Sequence, residues 1–188
     1  HLSQLLLKSK KFDEAWKEYE WRWDGKEFIG SKLKTTRPEW EPDKRGCVLL
    51  WAEQGIGDEI MFLTLIPDFI DQVDRLIVKL DKRLIPLFER TFGKKIRFIS
   101  KAEYLEESEY DYQIAMGSLP RYLRSSLNSF KTSKKIKLEV DKDRSNHLRR
   151  KLLDGGYQKI VGISWKSSNI RFDSNLLLEE FITGIYSK

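Results

Sequence analysis

Cysteine and histidine are almost missing from this chain, with one Cys and two His among 188 residues. The single thiol, Cys47, cannot build an internal disulfide framework and suits a reducing compartment. With so few thiol and imidazole ligands, a zinc site is not expected. Long apolar runs are lacking too. The longest, residues 60–66, falls far below the ~20 residues a helix needs to span a bilayer. No secretory signal is read, so a cytoplasmic protein without a transmembrane segment is the expectation. The chain opens at His1 rather than Met and reads as a slice of something longer.

What is present is enough to fold. At roughly 100–200 residues per domain, the length allows one domain with an appendage. Hydrophobic residues make up 40% and aromatic ones 12%, including six Trp, which excludes a disordered chain. Lys and Arg number 35 against 29 Asp and Glu, a net charge of +6. The basic residues are spread, and the densest stretches, 131–137 and 144–151, are broken by or lie near acids. Two readings stay open: a solvated surface, or a site that recognises phosphate. No nucleic-acid partner is expected.

Residues 2–8 and 12–23 read as a helical hairpin. Phe12, Ala15, Trp16 and Tyr19 fall at helical spacing, and Trp23 continues the stripe. Two helices cannot bury so aromatic a stripe alone, so they pack on the following domain or end a longer array. Residues 24–46, rich in Gly, Pro and charge, read as a linker pinned to a neighbouring surface by Trp40. From Cys47 onward, strands and helices alternate. Strands are expected at 47–52, 76–80, 96–99, 112–116 and 160–165. Helices are expected at 58–73 (broken by Pro67), 83–92, 102–107, 144–153 and 176–185. Such alternation predicts an α/β fold, a Rossmann-like doubly wound parallel sheet. Ligands of such sheets bind beyond the carboxyl ends of the strands.

The loop after the first strand, Trp51 to Asp58, is therefore the most informative segment. Gly55 and Gly57 make a tight turn, but the third glycine of a dinucleotide fingerprint is replaced by Ile60. Asp58 and Glu59 in the first helical turn would repel a pyrophosphate. Asp81, after the second strand, stands where a ribose-binding acid would. No Gly-Lys-Ser/Thr of a Walker A loop follows. Asp58 has two readings: a helix-start acid that stabilises its helix, or a carboxylate at the ligand edge that takes a proton as general base. Glu53 and Gln54 either hydrogen-bond a sugar or are solvated. Trp51 and Trp165 either pack in the core or face a sugar. His147, in a charged helix, is expected to be exposed.

Ala52 to Asp58, followed by Phe62, Leu65, Ile66 and Pro67, resembles the first loop of the heptosyltransferase-like glycosyltransferases of family 9. Phe12 to Trp16 and Tyr19 to Trp23 resemble the last helix pair of a tetratricopeptide array, Arg37 to Trp40 its junction, and Val161 to Asn169 the strand that opens the second domain. Such an array joined to such a domain is a bacterial architecture. The resemblance implies a GT-B fold of two Rossmann-like domains across a cleft. In these terms the chain divides into a helix pair (1–23), a linker (24–46), an acceptor-side domain (47–158) and the start of a donor domain (159–188). The implied reaction is inverting, metal-independent transfer from a nucleotide-sugar to an acceptor hydroxyl of a glycan or protein. It needs no cofactor, since the nucleotide-sugar is the donor substrate. Asp58 is the implied base, with Glu53, Gln54, Gly55 and Gly57 on the acceptor side. Lys166, Ser167, Ser168 and Asn169 line the donor side, or else form a plain polar loop. A protein partner is expected to dock through the array. The donor domain would need roughly 120–150 further residues on domain-size grounds, so this piece alone is expected to be inactive. The alternative is a non-catalytic interaction scaffold of helical hairpin plus Rossmann-like domain.

Overall fold

The computed structural model describes residues 2–25, 32–156 and 159–162. It divides into two compact units, His1–Val140 and Asp141–Lys188.

The first unit is built on a four-stranded parallel sheet: β1 (Cys47–Trp51), β2 (Arg75–Leu80), β3 (Arg97–Ser100) and β4 (Tyr112–Ala115), in the order β3-β2-β1-β4. The chain winds outward from β1 to β3 and then returns to place β4 on the other side of β1. That reversal makes the fold Rossmann-like, with its switch point between β1 and β4. β1 is buried along its whole length because both of its faces are covered. Val48 and Leu50 point to one face, with Leu76, Val78, Phe98 and Ile114. Leu49 and Trp51 point to the other, with Ile77, Ile99 and Ala115.

The first face carries the helices. They are α3 (Ile56–Leu63), α4 (Ile66–Phe69), α5 (Ile85–Phe92) and α6 (Pro120–Leu123), which insert Phe62, Leu63, Phe69, Phe88 and Leu123 against the sheet. The helix predicted over 58–73 is split, with Pro67 in the first turn of α4, where a missing N–H costs nothing.

The second face is covered by Leu105, Tyr110 and Leu33 from irregular chain and by Trp23 from a 3₁₀ turn. The helix predicted at 102–107 is replaced by turns and a short 3₁₀ segment, Glu107–Glu109. Geometry explains this. The connection from β3 to β4 must pass three strand spacings of ~4.8 Å and also return from the carboxyl to the amino ends of the parallel strands. A helix advances only ~1.5 Å per residue, less than half the reach of extended chain.

Upstream, α1 (Leu2–Lys8) and α2 (Phe12–Tyr19) form the expected hairpin, and a 3₁₀ turn, Glu20–Asp24, continues α2. The stripe packs on the domain: Ala15 and Trp16 are buried, and Trp16 Nε1 donates to the Arg124 carbonyl at 2.8 Å. The linker is pinned as expected. Trp40 is fully buried, edge-on to Phe69 at 4.8 Å and Tyr122 at 5.5 Å. Its backbone amide donates to the Gln113 carbonyl at 2.8 Å, and the Gln113 amide donates to the Pro38 carbonyl at 3.1 Å. The linker thereby covers the free edge of β4.

In the second unit, α7 having closed the first (Leu127–Lys131), α8 (Lys142–Leu153) is a basic helix exposed at every position but the half-buried Leu153, His147 included. Asp141 caps it, accepting from Arg144 N–H at 2.9 Å. Of the strand predicted at 160–165, residues 160–162 carry no regular structure, with Ile160 and Val161 exposed. Residues 163–165, Trp165 among them, and the helix predicted at 176–185 lie outside the described residues.

Candidate functional site

The switch point lies beyond the carboxyl ends of β1 and β4. The loop after β1 brings Glu53, Gln54, Gly55, Gly57 and Asp58 there, and the turn after β4 brings Gly117 and Ser118. The helical pair supplies the third component, which the sequence reading did not anticipate: the Glu20–Asp24 turn reaches into the crevice.

Arg22 is the hub. Its Nη2 donates to Glu53 Oε1 at 3.1 Å and to Ser118 Oγ at 2.8 Å, and its Nη1 donates to Glu20 Oε1 at 3.0 Å. Ser118 Oγ donates to Glu20 Oε2 at 3.0 Å, and the Gly117 amide donates to Glu53 Oε1 at 3.0 Å. The Arg22 and Glu53 side chains are 6% and 1% exposed, so these charges are out of water and held by each other. Gln54 is engaged as well. Its amide brackets Tyr19 Oη, donating to it at 2.8 Å and accepting from it at 3.1 Å. Burial pushes the Tyr19 phenol above its ordinary pKa, with Gln54 and Arg22 opposing. Glu53 and Gln54, expected to be sugar-binding or solvated, are thus spent on the helical pair.

Gly117 is required by this arrangement. A Cβ there would run into Glu53 Oε1 and lie 3.0 Å from Gln54 Nε2 and 3.2 Å from Tyr19 Cε1. The guanidinium and the two carboxylates are spent on one another, so the Arg22 cluster offers no free cation to a phosphate. Gln113, Trp51 and Arg121 join Glu20 and Ser118 around a cavity of about 260 Å³ beside it. Trp51 is otherwise a core residue, its Nε1 donating to Gln113 Oε1 at 2.6 Å.

A second buried carboxylate ties the remaining loops. Glu59, 2% exposed, accepts from the Asp81 amide at 2.8 Å and pairs with Lys101 Nζ at 2.6 Å. Lys101 Nζ also donates to the Gln54 carbonyl at 3.0 Å. Asp81 accepts two side-chain bonds from Arg83, each 2.9 Å, and these hold its carboxyl far below the usual range. It is therefore not a free ribose acceptor.

Asp58 differs from its neighbours. It is the third residue of α3, half-buried, where a carboxylate can reach back to the N-cap amide. It makes no such bond, and no hydrogen bond or ion pair ties it to another of the described residues. The adjoining Gly55 and Gly57 are exposed, and a Cβ at Gly57 would meet nothing within 4 Å. The result is a carboxylate with no hydrogen bond or ion pair among the described residues, its Oδ2 lying 3.5 Å from where a Cβ on Gly55 would sit, beside the exposed Gly57 at the sheet's ligand edge. Lys166, Ser167, Ser168 and Asn169 lie outside the described residues. Among the described residues, no group of three or more His, Cys, Asp or Glu could hold a metal ion. No helix there is long and apolar enough to cross a membrane.

These features define a Rossmann-like α/β domain with a helical pair built into its switch point. The chain is similar to Protein FlbA of Caulobacter vibrioides, 30% identical over 180 residues. That alignment covers 87% of this chain but 30% of FlbA, so the chain spans under a third of that relative's length. No protein-family model and no solved structure matches it.

Proposed function

We propose that this chain carries the acceptor side of an inverting glycosyltransferase of the GT-B, heptosyltransferase-like kind, with Asp58 as general base. The observation that carries the reading is the Asp58 carboxylate, neither capping its helix nor paired with another of the described residues, beside the open backbone of Gly57. In the step proposed, an acceptor hydroxyl oxygen attacks the anomeric carbon of a nucleotide-sugar. Its proton passes to Asp58, and the bond from the anomeric carbon to the phosphate oxygen breaks, the electron pair leaving with the nucleoside diphosphate. Inversion follows from this single displacement. Arg22 is committed to Glu20 and Glu53, which supports an acceptor role for this crevice rather than a phosphate seat on Arg22. Donor phosphates would be met elsewhere, and Lys166, Ser167, Ser168 and Asn169 remain the candidates. The tetratricopeptide assignment of the helical pair belongs to the same proposal.

A second reading, a non-catalytic scaffold, draws support from the way the chain's own turn fills the switch-point crevice. One experiment separates them. The full-length gene product is incubated with a panel of radiolabelled nucleotide-sugars and a cell lysate as acceptor source. The enzyme reading expects label transfer from one donor and its loss in Asp58→Asn. No transfer from any donor favours the scaffold.

A further inference from the structure

We propose that a second cavity, remote from the switch point, binds a single-chain amphipathic anion of the medium-chain carboxylate kind. The cavity measures about 390 Å³, within the range of small-molecule sites, and lies wholly in the first unit between α2, α3, α6, α7 and residues 133–136. Its floor is apolar: Trp16, Phe62, Leu65 and Pro120 are all buried. Met61 and Phe130 stand on its rim 53% and 40% exposed, so apolar surface is left open to solvent at the mouth.

The walls are fixed rather than adaptable. Trp16 is tied to the Arg124 carbonyl, and the Arg124 guanidinium is held by Asp68 at 2.6 Å. The Lys134 amide donates to Asp68 at 3.0 Å, which anchors the segment that closes one side. A preformed pocket of this kind loses little order on binding.

The charge at the mouth selects the ligand's head. Arg124 and Lys134 are neutralised by Asp68 and Asp71. Lys135, exposed on the rim, has no ion pair or hydrogen bond to any of the described residues. An apolar, rigid floor with one unpaired ammonium at its edge matches an alkyl chain ending in one negative charge. A sugar would find too few hydrogen-bonding groups on that floor, and a nucleotide would bring more charge than Lys135 alone can meet.

Isothermal titration of the 188-residue chain with hexanoate, octanoate and decanoate below their micelle concentrations tests this. Saturable one-to-one binding is expected, tightening about fourfold per added methylene. Lys135→Glu should weaken every member by a similar factor of about two to five while keeping the per-methylene increment. Met61→Glu, which puts a charge in the apolar mouth, should abolish binding. Both positions are exposed, so unchanged circular dichroism is expected and ensures that the variants report on the pocket. Non-saturating heats, a flat chain-length series, or variants that bind like wild type would overturn the proposal. So would binding to phosphatidylglycerol vesicles without binding to monomeric decanoate, which would make this face a membrane contact. None of these outcomes depends on Asp58 or on sugar transfer.

Discussion

At the residue scale, Arg22 carries more than its local sequence suggests. It lies in a 3₁₀ turn, yet its guanidinium binds groups 31 and 96 residues further along the chain. Removing it would strand the Glu53 carboxylate in a dry crevice. Arg22→Met is expected to cost about 3–5 kcal/mol in urea unfolding, as for other broken buried pairs. The double change Arg22→Met with Glu53→Gln should recover part of that loss, because the stranded charge is gone. Losses that simply add would contradict the coupling. Gly117→Ala acts on the same cluster by crowding. Its methyl has no room against Glu53 and Gln54, and overpacking of this kind costs about 1–3 kcal/mol, readable in the same unfolding assay. Glu53 and Gln54 were legible as residues of the loop after the first strand, but their partners were not. Those partners arrive from another element, and nothing in a local window marks Arg22 as theirs. The one available signal was Glu20 and Arg22 at the end of an aromatic stripe with a glycine turn after the fourth strand. Joining the two requires the strand order.

At the element scale, β1 to β4 were readable because buried parallel strands are short continuous apolar runs. The pinned linker was readable because a Trp between prolines has few other uses. The crossing from β3 to β4 was misread as a helix, since its composition suits one while its span does not. That crossing is held to the linker and to β3 by carboxylates. Thr36 hydrogen bonds hold Glu107 below its ordinary pKa, and the Arg97 guanidinium does the same for Glu109. A pKa lowered in the folded state gives stability that is present above the unfolded value. It is lost as pH falls through the folded one. The melting temperature should therefore decline as pH drops below the ordinary Glu value of about 4.3. The double variant Glu107→Gln, Glu109→Gln should start lower at neutral pH and decline less steeply. Equal slopes would show that these bonds do not hold the crossing.

At the scale of the whole molecule, the helical pair, linker and sheet are one folding unit. The aromatic stripe, Trp40 and the Arg22 cluster each bury chain segments that precede β1 against segments that follow it. Among the described residues, neither hydrophobic cluster draws on any beyond 140. A chain ending at Val140 is therefore expected to unfold in a single cooperative transition within a few degrees of the 188-residue chain. A broad, non-cooperative transition would place part of the core in residues 141–188. Within this unit the charged groups of the switch point are mostly committed to holding the fold together, and Asp58 is left over. The account stands or falls on whether that carboxylate does chemistry. The most direct measurement is the single-turnover rate of sugar transfer by the full-length gene product, wild type against Asp58→Asn. Because Asp58 makes no hydrogen bond or ion pair to another of the described residues, the variant should melt at nearly the wild-type temperature. Its rate should fall by about 10²–10⁴, the usual contribution of a general base. A variant that transfers sugar at the wild-type rate would contradict the account.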